Sequence, residues 1–125
     1  MKVRGKVLSG KGEGRVFTEL EWAKRQFFEK LGFHPVPGTL NIRLEEVTNL
    51  EILSFGRSKA LAIEPPNKRF CSGIVFPAVI GGKVKGAVLI PQVPDYDPGL
   101  LELIAPVNLR ELLDLREGDV VVVEF

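Results

Sequence analysis

Cysteine and histidine are nearly missing from this chain. Cys71 is its single cysteine and His34 its single histidine. One thiol excludes an intrachain disulfide and a four-thiolate zinc site. One imidazole leaves almost no material for a histidine-based metal site or a Ser-His-Asp triad. Long apolar runs are missing too, so no segment is expected to cross a bilayer as a helix. The basic start lacks the apolar stretch of a signal peptide, and the expected location is the cytoplasm. The net charge is only +1, which argues against a protein that grips nucleic acid through bulk charge. No repeat, low-complexity tract or linker divides the 125 residues, so a single domain over 1–125 is expected.

What is present reads as an ordinary globular chain, 45% apolar and 26% charged, long enough to bury a core. The charge is uneven. Between Met1 and Arg15 five cations face Glu13 alone, which suits a local anion site or a solvated strand edge.

Val3 to Leu8 reads as a strand, followed by the glycine-rich "SGKGEGR". "TELEWAKRQFFEKLG" reads as the main helix, with Thr18 and Glu21 spaced as a capping box and Gly32 as the stop. Leu20, Ala23, Phe27 and Leu31 form its core-facing stripe. Leu40, Ile42 and Leu44 alternate with polar residues as a strand, and Glu45 to Lys59 reads as irregular. Further strands are expected at Ala60–Ile63, at "FCSGIVFPAVI" with an interruption at Pro77, and at "KVKGAVLI" after a Gly81-Gly82 hairpin. Asn108 and Glu111 have the spacing of an N-cap and its partner for one short helix before the closing strand. Many short strands with turn signals favour a mainly β barrel over an open sheet.

Three constellations carry candidate chemistry. Gly10, Gly12 and Gly14 alternate with Lys11 and Glu13 and end at Arg15. Backbone amides bared by glycine can surround an anion, although the pattern is neither a P-loop nor a dinucleotide fingerprint, and a plain bend has the same composition. Thr39 and Asn41, two apart on a strand, present two neutral oxygens to one side. These suit Mg²⁺ if phosphates supply the charge; they also suit the polar face of an amphipathic strand. Glu102 lies within an apolar run, either buried with a partner or turned to solvent. Arg110 sits in the first turn of the short helix, as an anion contact or a surface cation.

Together, "SGKGEGRVF", "GFHPVPGTLNIRL", "CSGIVFPAVI" and "LELIAPVNLRELLDLREGDVVVV" resemble the archaeal CTP-dependent riboflavin kinases, in the same order along nearly the whole chain. The resemblance implies a six-stranded β-barrel of the cradle-loop type, here with one main and one short helix. It implies transfer of the γ-phosphoryl of CTP to the 5′-hydroxyl of riboflavin, giving FMN and CDP. Gly10, Lys11, Gly12, Glu13, Gly14 and Arg15 would line the CTP phosphates, and Val107, Asn108, Leu109 and Arg110 would complete the nucleotide site. Thr39 and Asn41 would hold Mg²⁺. Glu102 would contact the flavin, as an anchor or as the catalytic base. In the "PQVPDYDPG" loop, relatives can turn a threonine hydroxyl toward the flavin phosphate; Pro94 takes that place here and has none. Asp95 and Tyr96 are the loop's polar candidates to stand in for it. The expected partners are CTP and riboflavin, without nucleic acid or membrane, and the expected state is a monomer. "LREGDVVVVEF" also resembles the closing strands of small DNA-binding β-barrels, so the rival readings are a DNA-binding regulator and a catalytically silent flavin- or nucleotide-binding domain.

Overall fold

Alternation in the first strand carries over into space. In β1 (Lys2–Leu8), Val3, Gly5 and Val7 are buried while Lys2, Arg4 and Lys6 stay exposed. The computed structural model describes residues 1–10 and 12–125. The remaining strands are β2 (Leu40–Leu44), β3 (Leu61–Ile63), β4 (Gly73–Ile80), β5 (Val84–Pro91), β6 (Leu100–Ile104) and β7 (Val120–Glu124). The order β4-β5-β6-β2-β1-β7 returns to β4, so these six strands close an antiparallel barrel, with β3 appended to β4. Closure rests on the pairs Val79↔Glu124 and Ile80↔Val123.

The barrel lumen is filled by one apolar cluster that includes Ile42, Phe76, Ile80, Val88, Leu101 and Leu103. A second cluster lies on the outer wall, where Leu89, Val75 and Ile104 meet Phe17, Ala23 and Phe27. Phe27 is fully buried there, and truncating such a ring to alanine costs about 3–5 kcal/mol.

The main helix, α1 (Glu21–Leu31), supplies that outer layer and stops at Gly32, whose left-handed φ of 80° lets its amide reach the Phe28 carbonyl. Its start differs from expectation. Leu20 is the N-cap, without a side-chain cap. Thr18 instead ends a 3₁₀ turn over Glu13–Thr18. Its hydroxyl donates to the Arg15 carbonyl at 2.6 Å and accepts from the Gly38 amide at 2.8 Å. A tertiary tie to the bend before β2 has recruited the residue that local sequence would use as a cap.

Two other expectations are corrected. The segment expected to be irregular contains α2 (Asn49–Phe55), opened by a full capping box of Thr48 and Glu51. It is too short for periodicity to show, but it places a fully buried Ile52 in the lumen cluster. The strand expected to break at Pro77 runs through it, with Pro77 opposite Ala87. On its other side β4 meets β3 at 73–75 and β7 at 79–80, so Pro77 falls in the gap between partners, where proline is tolerated. The short helix, α3 (Leu109–Leu112), forms as expected, with the Asn108 side chain accepting from the Glu111 amide at 3.1 Å. There are therefore three α-helices among the described residues where two were expected.

Candidate active site

Antiparallel register brings the polar residues together. On the outer wall Glu102 of β6 pairs with Asn41 of β2 on one side and Leu89 of β5 on the other. Glu102 is fully buried and Asn41 nearly so. A carboxylate taken from water needs donors, and it has three. The Gly14 amide donates to both carboxylate oxygens at 3.0 Å. Thr39 Oγ1 donates to Oε1 at 2.7 Å. The Tyr96 hydroxyl donates to Oε2 in a short hydrogen bond. Because the Gly14 amide is shared, each carboxylate oxygen accepts two hydrogen bonds, and roughly four lone-pair positions are engaged.

The glycine loop covers this carboxylate at close quarters. A Cβ on Gly12 would sit 2.3 Å from Glu102 Oε1 and 2.5 Å from Asn41 Oδ1. One on Gly14 would sit 2.8 Å from Glu102 Oε1 and 2.9 Å from Leu89. Side chains are excluded there by the close approach of the loop backbone to Glu102, Asn41 and Leu89. The Asn41 amide nitrogen donates to the Gly10 carbonyl at 3.1 Å, which turns Oδ1 the other way. That oxygen is buried and has no partner among the described residues.

Tyr96 is held as a donor. Burial raises its pKa far above the ordinary phenol value, helped by its bond to Glu102 and by the negative charges of Glu102, Asp97 and Glu13. Arg43 and Asp97, paired at 2.7 Å, brace the loop that carries it. The buried Asn49 of α2 adds two bonds of 2.8 Å to the Asp97 and Leu100 carbonyls.

Of the residues singled out in the sequence, Gly10, Gly12, Gly14, Thr39, Asn41 and Glu102 meet at one place. Glu13 and Arg15 lie in the 3₁₀ turn, Glu13 exposed and Arg15 partly buried. Lys11 lies outside the described residues. Val107, Asn108, Leu109 and Arg110 line an adjoining pocket of about 150 Å³ whose other wall includes Gly38 and Thr39. Arg110 ties that pocket to the end of β1 by donating to the Leu8 carbonyl at 3.0 Å. Pro94 is exposed and lines a separate groove with Leu50, Leu53 and Tyr96. The hydroxyl that the loop brings to the carboxylate is thus Tyr96, two residues on. In the sequence Tyr96 is one polar group of a loop; its contact with Glu102 depends on how that loop folds back.

Thr39 Oγ1 and Asn41 Oδ1 are neutral oxygens beside Glu102, and the latter is buried without a partner among the described residues. This donor set fits a hard cation that takes most of its ligands from a phosphate chain. No cluster of three His, Cys, Asp or Glu suited to a metal occurs among the described residues. No helix among them is long and apolar enough to cross a membrane.

The fold is a closed β-barrel whose outer wall carries a buried carboxylate under a glycine loop. The family described as CTP-dep_RFKase, domain of unknown function DUF120, matches residues 7–125. Similar proteins named riboflavin kinase occur in Ignicoccus hospitalis (43% identical over 95% of this chain and 68% of that protein). Another, in Methanothermobacter thermautotrophicus, is 44% identical over 90% of this chain and 89% of that protein. A third, in Archaeoglobus fulgidus, is 39% identical over 99% of this chain but only 54% of that protein. The chain thus spans about half the length of some of the curated relatives it matches. It belongs to the CTP-dep_RFKase family.

Proposed function

We propose that this chain moves the γ-phosphoryl group of CTP to the ribityl 5′-hydroxyl of riboflavin, releasing CDP and FMN. The observation that carries the proposal is the fully buried Glu102, held by three donors and directly under Gly12 and Gly14. A carboxylate held this way suits the orientation of an alcohol beside a phosphate chain, the alcohol taking the place of one arm of the shared Gly14 bond. The family description names CTP, and relatives carry the name riboflavin kinase.

Phosphoryl transfer asks a protein mainly for positioning and charge neutralisation. The Gly14 amide is engaged by Glu102, so the amides that precede it are the ones assigned to the triphosphate. The pocket between Thr39 and Asn108–Arg110 takes the rest of the nucleotide. Thr39 and Asn41 would hold Mg²⁺, which when bound neutralises charge on the phosphate oxygens. Glu102 accepts a hydrogen bond from the 5′-hydroxyl and aims its oxygen at the γ-phosphorus. As the new P–O bond forms and the bond to CDP breaks, the proton passes either to Glu102 or to an oxygen of the transferred phosphoryl group, two destinations that Glu102→Gln separates.

The test is direct. The protein is incubated with riboflavin and Mg²⁺ and with CTP, ATP, GTP or UTP in turn, and FMN is followed by chromatography. FMN formed best with CTP is the expected result. No FMN with any nucleotide overturns the activity, and equal rates with all four overturn the cytidine preference.

A further inference from the structure

Tyr96 reaches Glu102 from a loop with unusually firm supports on one side. After it, the Asp97 carboxylate accepts from Arg43 at 2.7 Å and from the Gly99 amide at 2.9 Å. The Asp97 carbonyl accepts from Asn49, which is 3% exposed and therefore locked in α2's packing. The Asn49 amide also donates to the Pro98 carbonyl at 2.8 Å, and the Leu44 amide to the Gly99 carbonyl at 2.8 Å. Before it, the Gln92 amide holds the Ser72 carbonyl at 2.9 Å. Asp95 adopts a left-handed φ of 59°, a conformation that a non-glycine residue rarely keeps without support from its surroundings. These supports fix where the phenol lies.

Its target is equally specific. Glu102 Oε1 is taken by Thr39, and the Gly14 amide is shared between both oxygens. Besides that shared amide, Tyr96 is the donor that holds Oε2. Without it, Oε2 keeps only its share of the Gly14 amide while Oε1 keeps Thr39 as well, and the carboxylate can turn toward Thr39. A carboxylate that turns no longer presents the same edge to one spot, and near-attack geometry is sensitive to such shifts.

We infer that Tyr96 is a positioning residue for phosphoryl transfer, its hydroxyl locking the rotation of Glu102 so that the carboxylate meets the acceptor alcohol in one orientation. This rests on the proposed kinase activity and adds to it a role for a side chain in the loop where Pro94 offers no hydroxyl. Tyr96 acts through Glu102 and not on the phosphate chain.

The test is a double-mutant cycle in the intact chain, Tyr96→Phe and Glu102→Gln alone and together, read as kcat and KM for riboflavin and CTP. Tyr96→Phe keeps the ring and removes one hydrogen bond to a charged group, so kcat should fall about tenfold. KM for CTP should change less than about twofold, since the nucleotide side is untouched. In the Glu102→Gln background the same change should alter kcat less than about twofold, because residues acting as one unit are non-additive. Equal losses in both backgrounds, or wild-type kcat in Tyr96→Phe, overturn the inference while leaving the kinase activity intact. A wild-type protein without FMN formation removes the activity and this role together. If Tyr96→Phe proves poorly folded, Asp97→Asn, which weakens the loop's ion pair, replaces it. It should lower kcat in the wild-type background and leave Glu102→Gln unchanged, and an equal loss in both overturns the role.

Discussion

The Gly14 amide bridges both oxygens of Glu102 at 3.0 Å, joining the end of the glycine loop to the middle of β6. One N–H therefore sets the distance between the loop and the carboxylate, and the residues around it can be probed singly.

Gly12 and Gly10 should fail in different ways. Gly12 has ordinary extended backbone, φ −80°, so alanine there is conformationally allowed and only its contacts with Glu102 and Asn41 forbid it. Gly12→Ala should reduce kcat by about 10²-fold or more, by displacing reacting groups. Gly10 has φ 116°, and a Cβ there would meet nothing within 4 Å, so Gly10→Ala meets backbone strain alone. It should cost about 1–3 kcal/mol of stability. Steady-state kinetics beside thermal unfolding separate the two.

Thr39→Val keeps shape and removes the oxygen that both touches Glu102 and is assigned to Mg²⁺. The rate should fall, and the Mg²⁺ concentration needed for half-maximal rate should rise. A lowered rate with unchanged Mg²⁺ dependence would assign Thr39 to Glu102 alone.

Glu102→Gln distinguishes orientation from proton abstraction. Losing orientation should lower kcat by about 10–10²-fold, whereas losing a general base lowers it by about 10²–10⁴-fold. Riboflavin affinity, followed by quenching of flavin fluorescence, should weaken in either case.

The Arg43–Asp97 pair has a sign that acid can test. The hydrogen bond from Arg43, then that from the Gly99 amide, lowers the Asp97 pKa below its ordinary value. A depressed folded-state pKa contributes stability that is present above the unfolded value, near pH 4, and lost as pH falls through the folded one. Arg43→Ala should therefore lower the melting temperature slightly at pH 7 and not at all near pH 2. The effect is small because both side chains are about half exposed.

Thr48→Ala removes the hydroxyl that caps α2 and should cost about 1 kcal/mol. Since Asn49 of this helix holds the Tyr96 loop, the variant should also raise hydrogen exchange around residues 92–97.

Much of this was legible beforehand where local pattern and tertiary demand agree. Strict alternation in Leu40–Leu44 placed Thr39 and Asn41 on one side, and both do meet Glu102's neighbourhood on the outer wall. The embedding of Glu102 between leucines signalled a carboxylate in need of partners, but not which ones, because its donors come from positions 14, 39 and 96. Thr18 was misleading because its hydroxyl serves a contact with Gly38, twenty positions away, and not its own helix. Pro77 looked like a break because the gap between β3 and β7 is a property of the closed sheet. The seven residues of α2 show too little repetition to stand out, although Thr48 and Glu51 carried its capping signal.

The lumen is packed with hydrocarbon, while Glu102, Asn41 and the glycine loop hang on the outside of the staves. Asn41 and Glu102 thereby share their strands with lumen residues but face away from them. Interior residues can be exchanged for others of similar volume without touching a reacting atom, and loops around β6 can be rebuilt without unsealing the interior. A lineage, or an engineer, could retune what this wall binds while inheriting the container unchanged.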